Sequence, residues 1–132
     1  MVQIVGALLI RDGALLMGLR AKHKDMLPNC WDVVGGHVEA GETPQESLVR
    51  EVAEEIDVVV TGCRFLDVVV YDLPGRPGLQ QHLFQVDAWR GEPRIANEEH
   101  AELRWFDWRD LQSVPDDAFV AYRPLLKALL CG

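Results

Sequence analysis

Residues 36–58 read Gly36-His37-Val38-Glu39-Ala40-Gly41-Glu42-Thr43-Pro44-Gln45-Glu46-Ser47-Leu48-Val49-Arg50-Glu51-Val52-Ala53-Glu54-Glu55-Ile56-Asp57-Val58. Thr43, Pro44 and Glu46 have the spacing of a capping box with proline in the first turn, so a helix is expected from about Pro44 to Ile56. Leu48, Val52 and Ile56 recur four apart with Val49 and Ala53 beside them, an apolar stripe that packs on a core. At about 100° per residue, Glu54 lies about 60° to one side of Glu51 and Glu55 about 40° to the other. The three carboxylates are therefore expected on one face, nearly opposite the stripe, pointing at solvent or at a ligand. Like charges at these spacings cost about 0.2–0.5 kcal/mol per pair, and Arg50 is the local relief.

Such a face is often plain solvated surface. Its context here is the pair Gly35-Gly36 directly upstream, where backbone can approach a ligand without side-chain hindrance. Clustered carboxylate oxygens suit Mg²⁺ or Mn²⁺, ions that keep several waters and bridge carboxylates to phosphate oxygens. The segment points to phosphoryl chemistry.

Outward from this stretch, Val2–Ile10 and Ala14–Leu19 are apolar runs joined by Arg11-Asp12-Gly13, the signal of a β-hairpin. Ala21–Asn29 reads as a surface loop and Trp31–Val34 as a short strand. Arg64–Tyr71 and His82–Trp89 read as paired strands across a Pro74–Gly78 loop, Gly91–Ala96 as a turn and loop, and Leu103–Phe106 as a short strand. Asp107–Leu111 is a helical turn, and Phe119–Leu130 a closing helix with Leu125, Leu126, Leu129 and Leu130 as its apolar side. This order predicts an α/β fold in one domain, residues 1–132, with a mixed sheet and helices on both faces.

The 132 residues carry 13 basic and 21 acidic side chains, a net charge of −8. That balance excludes a phosphate-tracking binder of duplex nucleic acid, and an anionic surface favours a phosphate compound only where a cation supplies positive charge. Cys30, Cys63 and Cys131 are too widely spaced for a zinc site or a disulfide framework. No 18 apolar residues run together, so no membrane span is expected. With no basic segment ahead of Val2–Ile10, that run reads as a strand of a cytoplasmic protein.

The quoted stretch resembles the Nudix hydrolase signature, G-x5-E-x7-R-E-U-x-E-E-x-G-U with U apolar, at every defined position but one: Asp57 stands where the family has glycine. Weaker echoes are Trp31, Gly91-Glu92-Pro93 and Glu102-Leu103-Arg104-Trp105-Phe106. The resemblance implies an α/β/α sandwich and metal-dependent cleavage of a pyrophosphate linkage in a small nucleotide, a nucleoside triphosphate giving monophosphate and pyrophosphate. It implies that Glu51, Glu54 and Glu55 hold Mg²⁺ or Mn²⁺, with Glu51 a candidate to activate water. Arg50 would orient a glutamate, and Gly35 or Gly36 would offer a backbone carbonyl to the metal.

Other residues keep two readings each. Glu42 is catalytic or a loop carboxylate bonding Arg50 and backbone amides, and Glu39 is equally open. Glu98 or Glu99 supplies a further acid or is solvated; His37 meets phosphate or stands by. Arg20, Lys22, His23 and Lys24 attract a phosphate tail or serve solubility. Asp116 and Asp117 resemble base-reading aspartates of Nudix enzymes acting on oxidised purine nucleotides, or cap the last helix. Trp31, Trp89, Trp105 and Trp108 stack a base or belong to core and rim. The contrasting function is a Nudix-fold nucleotide-binding or regulatory module without turnover. A plain structural or metal-binding domain leaves the glycine pair unexplained.

Overall fold

Asp12 and Gly13 both take positive φ, 53° and 76°, and so turn β1 (Val2–Arg11) back into β2 (Ala14–Arg20) with Arg11 opposite Ala14, as Asp-Gly favours. The computed structural model describes residues 1–24 and 27–131; positions 25 and 26 of the expected Ala21–Asn29 loop lie outside the described residues. Trp31–Val34 is not one strand but two. β3 (Trp31–Asp32) pairs with β2, and β4 (Val34–His37) crosses to pair with β1. The glycine pair thus continues a strand instead of ending it.

Around β1 the sheet is mixed. β6 (Arg76–Arg90) runs parallel to it, and β5 (Val59–Leu73) pairs antiparallel on the far side of β6. β7 (His100–Phe106) pairs with β2. β5 and β6 are longer than their apolar runs, because Leu73 lies opposite Arg76 and only Pro74-Gly75 remains for the turn. Proline fixes one φ and Gly75 accepts a φ of 76°, so two residues suffice where a five-residue loop was expected.

Helix α1 (Pro44–Ile56) begins as its sequence dictates: Glu46 N donates to Thr43 Oγ1 at 3.2 Å, and Thr43 N donates to Glu46 Oε1 at 2.9 Å. Its exit is left-handed, with Asp57 at φ 57°. Arg94 Nε donates to Asp57 Oδ2 at 2.9 Å, while the amides of Arg94 and Ala96 donate to the carbonyls of Ile56 and Glu55. The 91–97 loop therefore satisfies helix-end carbonyls that have no partner within the helix.

Alternation along β1 sends Val5, Ala7 and Leu9 to the face covered by Leu48, Val52 and Ile56 of α1. Leu8 goes to the other face, with Leu83, Phe106, Leu111, Phe119, Tyr122 and Leu126. That second layer comprises α2 (Trp108–Leu111), a 3₁₀ turn (Val120–Tyr122) and α3 (Arg123–Cys131). The expected helix from Phe119 is broken because Pro124 has no N–H to continue the ladder; it fits the first turn of a new helix instead. Helices on both faces of a mixed sheet make the expected α/β/α sandwich.

Candidate active site

Pairing β4 with β1 sets Gly36 opposite Val5 and Gly35 opposite Gly6. A Cβ at Gly36 would lie 2.5 Å from the carboxyl carbon of Glu51, and one at Gly35 would collide with the Val5 carbonyl oxygen. The pair is needed for close approach, of strand to strand and of strand to the Glu51 carboxylate on α1.

Arg50 organises the acids. Its Nε donates to Glu42 Oε2 at 2.8 Å and its Nη2 to Glu42 Oε1 at 3.0 Å. Nη1 donates to Glu51 Oε1 at 2.9 Å and to Glu54 Oε2 at 3.2 Å, and Nη2 also reaches the His37 carbonyl at 3.1 Å. Glu42 further accepts from Ser47 Oγ at 2.7 Å and from Glu39 N at 3.1 Å. The guanidinium, then the Ser47 hydroxyl, hold the Glu42 carboxyl down at about 2. Its partners are those of the loop-carboxylate reading. Glu39 is exposed, 3.7 Å from Arg50.

Glu55 departs from the expected polar face. It follows Leu48 by seven residues, about 700° of rotation and so about 20° from the same direction, which places it at the margin of the apolar stripe. Its side chain is 2% exposed, against 54% for Glu54 and 14% for Glu51. Glu55 Oε1 lies 2.8 Å from His100 Nε2. Burial raises the Glu55 carboxyl well above its usual range, reinforced by Glu51, and burial lowers His100 to about 4. The imidazole is therefore neutral near pH 7. His100 carries no sequence signal of its own. The nearest hint is Gly18 in β2, where a Cβ would strike the imidazole.

A cleft of about 240 Å³ opens beside Glu55 and His100, which line it together with Gly35, Gly36, Glu99, Asp32, Val33, Tyr71, Leu79 and Gln81. Cations stand at its edge: Arg20, Arg76, and Lys24, whose Nζ donates to Glu99 Oε1 at 2.9 Å. His37 also lines it, its Nε2 3.3 Å from Arg76 Nη1. Of the expected basic cluster, Lys22 and His23 are exposed and not part of the lining. Glu98 and Asp117 are exposed and Asp116 half-buried, and all three lie outside the lining. Asp116 pairs with Arg123 at 3.4 Å and its carbonyl accepts from Phe119 N; the residue before the 3₁₀ turn is Phe119, without a side-chain cap. Trp31 packs edge-on against Phe106, Trp89 stacks on Trp105, and Trp108 lies under Arg123, so the indoles are core and rim.

The family model described as NUDIX domain matches residues 2–129. The chain belongs to the NUDIX family. CTP pyrophosphohydrolase of Escherichia coli (strain K12) is 28% identical to it over 130 residues, 98% of this chain and 92% of that one. 8-oxo-dGTP diphosphatase of Proteus vulgaris is 39% identical over 69 residues, 52% of this chain and 61% of that protein, less than two thirds of its length. The crystal structure of the MutT NUDIX hydrolase from Burkholderia pseudomallei superposes with a TM-score of 0.80 at 26% identity, covering 96% of this chain and 95% of the other. With this family match and pyrophosphohydrolase-named relatives, the chain is classed with the Nudix pyrophosphohydrolases.

The family's divalent metal can be tested against the Nudix residues present. Among the described residues, no three His, Cys, Asp or Glu side chains already surround one point. Yet Glu55 Oε2 is buried with no hydrogen-bond partner, an expensive state for a carboxyl oxygen. Glu51 presses against Gly36 beside it. Hard oxygens, one of them unsatisfied, beside a cleft are a donor set that a small divalent cation completes.

Proposed function

We propose that this Nudix chain hydrolyses a pyrophosphate linkage in a nucleoside triphosphate, releasing monophosphate and pyrophosphate, with Mg²⁺ or Mn²⁺ held by Glu51, Glu54, Glu55 and a backbone carbonyl of Gly35 or Gly36. The observation that carries the reading is Glu51, fixed between Arg50 and Gly36 and adjoining the unsatisfied oxygen of Glu55. When bound, the metal supplies positive charge to the phosphate oxygens and acidifies water.

The chain's own residues do the rest. Arg50 holds one Glu51 oxygen and leaves the other as the acceptor for a proton from attacking water. Glu42 and Ser47 keep Arg50 in that orientation. His37 and Arg76 at the cleft edge offer donors to phosphate oxygens, and the cleft interior receives the nucleoside. The relatives named for CTP and 8-oxo-dGTP support a nucleoside triphosphate as substrate. The net charge of −8 disfavours duplex nucleic acid as a partner, and we read the chain as a cytoplasmic protein acting on small molecules.

The test is pyrophosphate release from a panel of nucleoside triphosphates with Mg²⁺, Mn²⁺ or chelator. Cation-dependent release that collapses in Glu51→Gln supports the assignment. Nucleotide binding without release would instead identify a regulatory module.

A further inference from the structure

Strand β7 begins with an irregularity. Gly18 lies opposite Leu103 and Leu19 opposite Glu102, but Arg20 lies opposite His100, so Ala101 is an extra, exposed residue in the pairing. Leu103 and Trp105 pack on the α1 side of the sheet and Phe106 on the other. Strict alternation would send His100 to the side of Phe106, away from α1. The bulge re-aims the side chain, and the buried imidazole meets Glu55 Oε1 at 2.8 Å. β2 leaves the space for it. A Cβ at Gly18 would lie 2.2 Å from His100 Nδ1, so glycine is what admits the ring there.

Among the described residues, two buried side-chain atoms of this pair have no hydrogen-bond partner, His100 Nδ1 and Glu55 Oε2. They differ in kind. Nδ1 faces the Gly18 backbone, where nothing accepts a hydrogen, whereas Glu55 lines the cleft. A buried lone pair without a partner is tolerated more readily than a buried N–H without one, so the hydrogen of the neutral ring belongs on Nε2. An ionised Glu55 can only accept, and Nε2–H is the donor that its Oε1 meets. A carboxylate gripped at one oxygen by a residue of the sheet keeps the other in a fixed direction, which is how an outer partner steadies a metal ligand.

We propose, resting on the hydrolytic reading above, that His100 is the positioning residue of Glu55: it holds Oε1 and leaves Oε2 to a divalent cation, and the bulge at Ala101 and the bare Gly18 are the parts of the fold that aim it. Loss of such an outer hydrogen bond typically weakens metal binding by about 10–100-fold. A purely structural His100 would alter stability and leave cation affinity alone.

The experiment measures Mn²⁺ affinity in the absence of nucleotide, from the electron-spin resonance of free Mn²⁺, on the parent, His100→Leu, His100→Gln and Gly18→Ala, each with a thermal melt in chelator to confirm folding. His100→Leu is expected to raise Kd by about 10–100-fold. His100→Gln retains an N–H donor for Glu55 Oε1 and is expected to recover most of that loss, even where both replacements lower the melting temperature. Gly18→Ala displaces the ring and is expected to weaken binding as His100→Leu does, so the assignment is decided even where the leucine variant does not fold. The Mn²⁺ concentration for half-maximal pyrophosphate release should rise in the same order. A folded His100→Leu or Gly18→Ala with the parent's Kd overturns the assignment, as does a glutamine variant as weak as the leucine one; cation-dependent release by the parent then leaves the hydrolytic reading standing. Binding of Mn²⁺ that depends on His100, with no release from any triphosphate, supports His100 and sinks the hydrolytic reading. A parent that binds no Mn²⁺ overturns both.

Discussion

The acidic cluster and the cleft beside it are built in opposite ways. In the cluster, Glu42, Ser47, Arg50, Glu51 and Glu54 come from one loop and one helix, and a single guanidinium joins the three carboxylates. Around the cleft, Asp32, Tyr71, Gln81 and Tyr122 come from β3, β5, β6 and the 3₁₀ turn, held by separate bonds. A local cluster is copied as a unit and keeps its chemistry, whereas a dispersed one changes one residue at a time.

The sharpest way to break the contrast is in the acidic cluster. Glu51→Gln should lower kcat by about 10²–10³ with little change in melting temperature, by analogy with losing one charged transition-state contact. A variant with parental turnover would move the reaction elsewhere. Next, Arg50→Lys should cost both rate and about 1–3 kcal/mol of stability, because an ammonium cannot span Glu42, Glu51 and the His37 carbonyl together. Urea unfolding and pyrophosphate release together check it. If only stability fell, the hub would be structural.

The cleft responds to pH instead. Burial raises the Asp32 carboxyl from 3.8 to about 6, against the pull of Tyr122 and Val33. A carboxyl raised on folding gives its full stability when protonated, below about pH 4, and loses it as pH rises through about 6. Asparagine does not ionise, so the melting-temperature advantage of Asp32→Asn over the parent should grow from pH 4 to pH 7, on the order of 1–3 kcal/mol. A constant difference would mean that the carboxyl is not desolvated.

Smallest are the margins. Asp57→Gly relieves a left-handed residue but removes an exposed pair with Arg94, and should change stability by less than about 1 kcal/mol. Asp57→Ala, which loses the pair without relieving the backbone, should melt lower than Asp57→Gly. Asp116→Asn touches only a pair with Arg123 at 3.4 Å, so its melting temperature and substrate ranking should stay near the parent's. An altered ranking would restore Asp116 as a reader of the base.

What sequence revealed follows the same division. Thr43, Pro44, Glu46 and the four-residue spacing of Leu48, Val52 and Ile56 are local signals, and they set α1 at its observed ends. Mutual angle groups Glu51, Glu54 and Glu55, yet Glu55 also falls about 20° from Leu48, and the structure buries it. The contact of His100 with Glu55 depends on which strands meet, β2 with β7, and the bond of Asp32 to Tyr122 on β3 meeting the second helical layer. Asp116 and Asp117 precede a helix start that Pro124 displaces to Arg123. No spacing rule carries that kind of information.

The 91–97 loop donates backbone amides to the end of α1 and runs directly into β7, which bears His100 against Glu55. Lengthening that loop would pull the amides from their carbonyls and shift the imidazole, so it is a poor place for inserted sequence. The Pro74-Gly75 turn is exposed at the far end of a long hairpin and has Leu73 and Arg76, both cleft-lining, on either side. Grafted segments placed there would hang over the cleft without loosening the helix, which makes that turn the natural port for re-engineering what the protein admits.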